Sequence, residues 1–189
     1  MVDDTSMALP APGSVDELAA YRQLQSRLPD LFRRVFADPL EPRTVVIVPG
    51  LTMDQDVLAK VLGGLHYEER QLTMLMLLRL PNTRVVFVSS TPIEPAIVDY
   101  YLGLLPGISR DDARRRLVLL SASDASAVTL TQKILERPRL LERIRDATGD
   151  LATAHLSCFN VTALERTLAV RLGIPLYGCD PSLQYIGGK

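Results

Sequence analysis

Three short runs of almost continuous apolar residues constrain the fold of this chain more than any other feature. The runs are rich in β-branched residues, are bounded by turn residues, and lie at Thr44–Val48, Arg84–Ser89 and Leu117–Ser121. A strand with one face in water alternates apolar and polar side chains, whereas a strand covered by helices on both faces is apolar throughout. The runs therefore predict neighbouring strands of a parallel sheet.

Two further segments are predicted to join this sheet. Thr153–Phe159 forms a fourth strand, and Pro175–Gly178 fits an edge strand, because proline cannot donate a ladder hydrogen bond and suits a first position. Helical patterns separate the strands, and this repeated alternation is typical of a doubly wound fold. The sequence therefore predicts a Rossmann-like α/β fold with a mainly parallel sheet of about five strands and helices on both faces.

The helices between the strands have recognisable ends. Pro138 suits a first helical turn, Thr162 and Glu165 have capping-box spacing, and Gly173 suits the position after a helix. Helices are predicted from about Gln55 to the Gly63-Gly64 pair, Glu68 to Arg79, Pro92 to Leu104, Ser109 onward, Ala127 to Glu136, Pro138 to Asp146 and Thr162 to Leu172.

Residues 1–40 differ in character from the rest of the chain. Ser14 and Glu17 have capping-box spacing and open a helical pattern that continues, with a break, to Ala37. We expect a helical arm that packs on the sheet domain or pairs with a second copy of the chain. The sheet domain itself is predicted to span residues 41–189.

Charge and hydropathy exclude several classes of partner. With 21 basic and 22 acidic residues among 189, the chain has no broad basic surface for nucleic acid or an anionic membrane. Its most apolar run, Leu72–Leu78, is far shorter than the roughly 18 to 20 residues that a membrane span needs. The acidic start lacks the apolar region of a signal peptide, so a cytoplasmic protein with buried free thiols at Cys158 and Cys179 is predicted.

Familiar catalytic motifs are missing from the loops that should follow the strands. The loop PGLTMD carries one glycine instead of the three of a dinucleotide fingerprint, which leaves a dehydrogenase or methyltransferase little support. Gly188-Lys189 is not a phosphate-binding loop, since Leu183 stands where that motif needs glycine. No nucleophile elbow is present. No catalytic residue is predicted.

The two histidines are expected to be structural. His66 falls in a turn, where a surface histidine is commoner than a catalytic base. His155 and Cys158 are three positions apart, and on a strand such residues point to opposite faces. No metal site is therefore predicted.

Two polar clusters remain, Ser89-Ser90-Thr91 after the second strand and Ser121–Ser126 after the third. Hydroxyls and amides at a helix N-terminus can hold a carboxylate or phosphate. The same residue types are also the usual helix caps, so both interpretations stay open. Ligands of a parallel sheet collect at the carboxyl ends of its strands. The candidate substrate-binding residues are therefore Pro49, Gly50, Leu51, Thr52, Ser89, Ser90, Ser123 and Asp124.

Four segments of the chain carry a resemblance to a known protein family: VVIVPGLTMD (45–54), DASAVTLTQKILERPRLLERIR (124–145), SCFNVTALERTLAVRLGIPLYGCDP (157–181) and SLQYIGGK (182–189). Through these segments the chain, from Val45 onward, resembles the N-terminal pre-ATP-grasp domain of ATP-grasp carboxylate–amine ligases, most closely the group that includes the pheganomycin-type peptide ligases. Gly188 stands where the family usually has serine, which leaves the role of Lys189 open.

The resemblance implies an ATP-dependent ligase that forms an amide through an acyl phosphate. ATP and Mg²⁺ would be held by an ATP-grasp domain beyond this chain, and this chain would be a catalytically incomplete scaffold that walls the carboxylate or amine substrate. A small-molecule or peptide substrate, the missing domain and a homodimer are the partners it implies, with no cofactor held by this chain. A stand-alone Rossmann-like interaction module without a small-molecule site is the alternative.

Overall fold

The computed structural model of the chain describes residues 9–51 and 64–183. Its α-helices are α1 (Val15–Gln25), α2 (Leu28–Ala37), α3 (Gly64–Arg70), α4 (Pro95–Gly103), α5 (Arg110–Arg115), α6 (Leu130–Leu135), α7 (Pro138–Thr148) and α8 (Ala163–Leu172). Its strands are β1 (Arg43–Val48), β2 (Thr83–Ser89), β3 (Leu117–Ser121), β4 (Ala154–Cys158) and β5 (Leu176–Tyr177). Short 3₁₀ helices span Gln71–Arg79, Leu151–Thr153 and Pro181–Leu183.

The five strands form one parallel sheet in the order β3-β2-β1-β4-β5. Val45 of β1 lies between Val85 of β2 and His155 of β4, which fixes the register of the central strands. The chain moves outward from β1 in one direction through β2 and β3, and then in the other through β4 and β5. The carboxyl ends of β1 and β4 are therefore the topological switch point, and the predicted fold class is confirmed.

Each face of the sheet has its own apolar core, as the continuous apolar strands predict. On one face, inward-pointing residues of the strands pack against α1, α6, α7 and α8. On the other face, the alternate residues of the same strands pack against the Gln71–Arg79 3₁₀ helix and α4. Representative fully buried residues are Val46, Val86, Ile134, Leu156 and Leu168 on the first face and Leu72, Leu78, Val85, Phe87 and Val98 on the second.

The N-terminal arm packs on the sheet domain. The side-chain amide of Gln25 donates to the carbonyl oxygen of Leu176 at 2.9 Å, and its side-chain oxygen accepts from the Leu176 N–H at 2.7 Å. Gln25 thereby satisfies the main chain of the edge strand β5. The Arg27 guanidinium donates to the Leu151 carbonyl oxygen at 2.7 Å, which adds a second anchor.

The predicted helix Glu68–Arg79 is only partly correct, because α3 ends at Arg70 and a 3₁₀ helix replaces it from Gln71. Leu72, Leu75 and Leu78 recur every three residues, and all three are fully buried. Three residues per turn is the 3₁₀ repeat, so this winding places the leucines on one buried face. The predicted helix from Gln55 lies outside the described residues except at its end.

Capping residues set the ends of several other helices. Ser109 caps α5, and Thr162 and Glu165 form the predicted capping box of α8, which ends at Gly173 with φ of 74°. The helices predicted to begin at Pro92 and Ala127 instead begin at Pro95 and Leu130. For α6 the reason is Thr129, whose hydroxyl accepts from the Gln132 N–H. A later cap therefore overrides the apolar pattern.

The prediction that His155 and Cys158 point to opposite faces is confirmed, whereas the predicted burial of both thiols is not, because Cys158 is half-buried and Cys179 is exposed. His155 and Cys158 lie on opposite faces of β4, since their register partners Val45 and Val48 belong to different cores. Both cysteines are free, and burial raises the pKa of the Cys158 thiol. Cys179 is exposed because β5 ends before it. Among the described residues, no helix has the length and apolar character to cross a membrane.

Candidate functional site

The loops after β2 and β3 meet at the carboxyl edge of the sheet. The Ala122 N–H donates to the Ser89 carbonyl oxygen at 2.9 Å, and the Asp124 N–H donates to the Ser90 carbonyl oxygen at 2.8 Å. These bonds continue the ladder between β2 and β3 beyond the strands themselves. Four of the predicted substrate-binding residues, Ser89, Ser90, Ser123 and Asp124, are therefore brought together.

The loop after β1 lies against the start of α6. A Cβ added to Gly50 would lie 2.7 Å from the Leu130 Cβ, so only glycine allows this approach. Pro49 and Gly50 are buried by this packing, and Leu51 is half-buried. Thr52, the remaining predicted residue of this loop, lies outside the described residues.

An aromatic pair lies beyond β4, on the other side of the switch point. Phe159 directly follows the strand and is 52% exposed. Its ring packs edge-on against Tyr67 of α3, with the ring centroids 5.0 Å apart. An exposed aromatic side chain next to a switch point offers an apolar surface to a ligand.

A buried lysine holds the β2 and β3 loops together. Lys133 of α6 is 1% exposed. Its ammonium group donates to the Ser90 hydroxyl at 3.1 Å and to the carbonyl oxygens of Asp124 and Ser126, both at 2.8 Å. An ammonium group has three protons, so these three bonds use its whole donor capacity. Lys133 is therefore a structural cross-link and has no donor left for a ligand.

A buried glutamate balances the charge of Lys133. The Glu68 carboxylate accepts from the Ser90 N–H at 2.6 Å and from the Ser90 hydroxyl at 2.7 Å. Burial raises the pKa of Glu68, while the Ser90 hydrogen bonds and the Lys133 charge oppose that change. Burial likewise lowers the pKa of Lys133 despite the opposing charges of Asp124 and Glu68. Ser90 thus bridges two opposite charges in the interior.

Asp124 extends this network to the surface. Its carboxylate accepts from the Ser126 N–H at 2.8 Å and from the Arg137 guanidinium at 2.5 Å. Hydrogen bonds from Ser126, with a smaller contribution from Arg137, lower the pKa of Asp124 to about 2. Asp124 is therefore ionised at neutral pH and holds Arg137 in place. Glu68, Lys133 and Arg137 were not predicted as site residues.

The two predicted serines of the β2 loop are occupied within the protein. Ser89 and Ser90 are 3% and 1% exposed. The Ser89 hydroxyl donates to the Thr91 carbonyl oxygen at 2.7 Å. Ser123, in contrast, is exposed, and its φ of 53° is uncommon for a residue other than glycine. Of the predicted residues after β2 and β3, Ser123 and Asp124 are thus the ones that reach the surface.

A groove of about 690 Å³ opens beside Ser123 and Arg137. We call it the basic groove because three arginines line it together with the end of β3 and the start of α7. Its lining residues are Ser121, Ala122, Ser123, Glu136, Arg137, Pro138, Arg139, Leu140 and Arg143.

The described part of the chain has no dense cluster of metal-ligating side chains. Residues 9–51 and 64–183 contain no group of three or more histidine, cysteine, aspartate or glutamate side chains that could hold a metal ion. The buried lysine has no free donor.

Comparison with known proteins gives one informative similarity. Over 110 residues the chain is 33% identical to L-propargylglycine--L-glutamate ligase from Streptantibioticus cattleyicolor, and the match covers 56% of this chain and 22% of that enzyme. The chain thus spans less than a quarter of the relative's length. No protein-family model and no solved structure matches the chain. At this coarse level, the chain is related to a ligase.

Proposed function

We propose that this chain is the N-terminal scaffold domain of an ATP-dependent ligase that joins a carboxylate to an amine through an acyl phosphate. The observation that carries the proposal is the 33% identity to a ligase that is named for two amino acids. The parallel sheet with its loops gathered at one edge supports it, since that edge is where such sheets bind ligands. A stand-alone interaction module would account for the fold but not for this similarity.

The ATP-grasp domain, in additional polypeptide, supplies the groups that bind ATP and Mg²⁺ in this proposal. Phosphoryl transfer depends on cations that bridge and neutralise the phosphates. The described part of the chain offers no such metal site. The role of this chain is to form part of the wall of the substrate pocket. Leu51 and Phe159 line that wall at the switch point, and Ser123 and Asp124 line it beyond β3.

Replacing Asp124 by alanine in the complete ligase is expected to raise the KM for the carboxylate or amine substrate about tenfold, with kcat little changed. The reason is that Asp124 fixes Arg137 and the exposed Ser123 loop, and loss of a charge-assisted hydrogen bond weakens binding by about this factor. Steady-state assays of ADP release and amide formation with amino acid pairs measure the change. They also test the function itself, because a complete enzyme that forms no amide contradicts the proposal.

Asp112 provides a matched control. It is also an aspartate paired with arginines, at 2.9 Å from Arg115 and from Arg116, but it lies before β3 at the opposite edge of the sheet. Asp112→Ala should leave KM unchanged. An unchanged KM for Asp124→Ala, together with a lowered melting temperature, would show that Asp124 only stabilises its loop.

A further inference from the structure

The basic groove places positive charge at the N-terminus of α7, where such charge does not stabilise the helix. Arg139 and Arg143 are four residues apart on α7, so their side chains are neighbours on one face of the helix. Arg137 immediately precedes that helix and also lines the groove. The first turn of α7 has no acidic residue, although the N-terminus of a helix favours negative charge. Three guanidinium groups at this position repel one another and the helix dipole.

Among the described residues, Arg137 is the one arginine of the groove that forms an ion pair. Arg137 donates to the Asp124 carboxylate and, at 3.0 Å, to the Lys133 carbonyl oxygen, so its side chain is held in place. Arg139 and Arg143 are exposed and make no hydrogen bond or ion pair with any described residue. Glu136 also lines the groove, but its carboxylate accepts from the Gln132 side-chain amide at 2.8 Å. Arg139 and Arg143 beside the open groove thus have no ion-pair partner among the described residues.

We propose that the basic groove binds the carboxylate or phosphate group of a small molecule. A guanidinium group presents a planar fork of donors that matches two oxygens of either group. The cavity volume of about 690 Å³ lies within the range of small-molecule sites. Arg137 is preorganised by Asp124, and Arg139 and Arg143 supply guanidinium groups that form no ion pair with a described residue. The similarity to a ligase does not assign this site. Identification of its ligand with the ligase's substrate rests on the proposed function.

Two anions distinguish the sources of the bound group. Inorganic phosphate and L-glutamate are titrated separately into the isotopically labelled chain, and the backbone amide resonances of Ser123 and Arg139 are followed by NMR. At least one anion is expected to produce saturable shifts that fit a single site. Arg139→Ala and Arg143→Ala are each expected to weaken that binding about tenfold, the effect of removing one charge-assisted hydrogen bond.

Arg145 provides the matched control on the same helix. It is exposed and does not line the groove, and its guanidinium lies 3.5 Å from the Arg171 carbonyl oxygen. The Arg145→Ala variant should bind the anion as tightly as the unmodified chain does. These variants alter exposed side chains, so each is expected to keep its fold, which the dispersion of the same spectra checks.

The outcomes separate as follows. Saturation by phosphate alone indicates a phosphorylated ligand, and saturation by glutamate alone indicates a carboxylate ligand. Saturation by both anions indicates a general oxyanion site. Failure of both anions to saturate overturns the proposal, as does equal weakening by Arg139→Ala and Arg145→Ala. None of these results depends on amide formation, so failure of the groove and failure of the proposed ligase function are distinguishable.

Discussion

Replacing Lys133 by alanine is expected to lower the free energy of unfolding by about 3 to 5 kcal/mol, the usual cost of removing one partner from a buried charge pair. The substitution removes the positive charge that favours the ionised form of the buried Glu68 carboxyl group, whose pKa burial already raises. It also removes the hydrogen-bond donor from the carbonyl oxygens of Asp124 and Ser126. Since a domain is stable by only about 5 to 15 kcal/mol, this one change removes a large share of its stability.

Urea unfolding followed by circular dichroism measures the loss. Gln132→Ala is the control, because Gln132 is the neighbouring residue on α6 and its side chain bonds only to Glu136 at the surface. The double substitution Glu68→Gln with Lys133→Met removes both charges, and it should cost less than the sum of the two single changes. If Lys133→Ala were as stable as Gln132→Ala, Lys133 would not stabilise the domain. If the costs of Glu68→Gln and Lys133→Met added up to the cost of the double substitution, the two residues would not be coupled.

Replacing Glu17 by alanine is expected to cost about 3 kcal/mol and to loosen the N-terminal arm. Glu17 of α1 is fully buried, and its carboxylate accepts from the Gly13 N–H at 2.8 Å and from the Arg166 guanidinium at 3.3 Å. Arg166 belongs to α8, so this contact joins the arm to the sheet domain. Without Glu17, the largely buried Arg166 guanidinium loses its carboxylate partner.

Hydrogen exchange provides the readout for the arm. We expect the backbone amides of α1 to lose protection in Glu17→Ala while those of β1 and β2 keep theirs. The neighbouring Asp16 is an exposed acidic residue in the same helical turn, so Asp16→Ala should change little. If Glu17→Ala left the exchange of α1 unchanged, the arm would be held by its other contacts, such as those of Gln25.

The sheet could be predicted because its signal is local. Strands β1, β2 and β3 are short apolar runs, and β3 was predicted with its observed limits, Leu117–Ser121. The helices that cover the sheet were harder to predict, because their packing against the sheet decides whether a segment winds as an α-helix or as a 3₁₀ helix. The leucines of Gln71–Arg79 fit a helical pattern, yet burial of Leu72, Leu75 and Leu78 favours the tighter 3₁₀ repeat.

The sequence predicted that Ser89, Ser90, Ser123 and Asp124 lie at the carboxyl edge of the sheet, but it did not predict their contacts. The end of a strand specifies the edge of the sheet at which Ser90 lies, but not whether its hydroxyl points outward or inward. That direction depends on Glu68 and Lys133, which come from helices far apart in the sequence and meet only in the fold. Lys133 lies on the buried face of α6 beside Leu130 and Ile134, and a lysine in such an apolar stripe is the one local signal of the network.

The central claim is that the groups that bind ATP and Mg²⁺ lie outside this chain, and titration of the 189-residue chain with Mg²⁺-ATP tests it most directly. Isothermal titration calorimetry with ATP is run once with Mg²⁺ and once with a chelator. We expect no tight binding and no dependence on Mg²⁺, since the described residues offer no metal site. A stoichiometric complex with a Kd of about 10 μM or tighter, within the range of enzyme–substrate affinities and lost on chelation, would contradict the account.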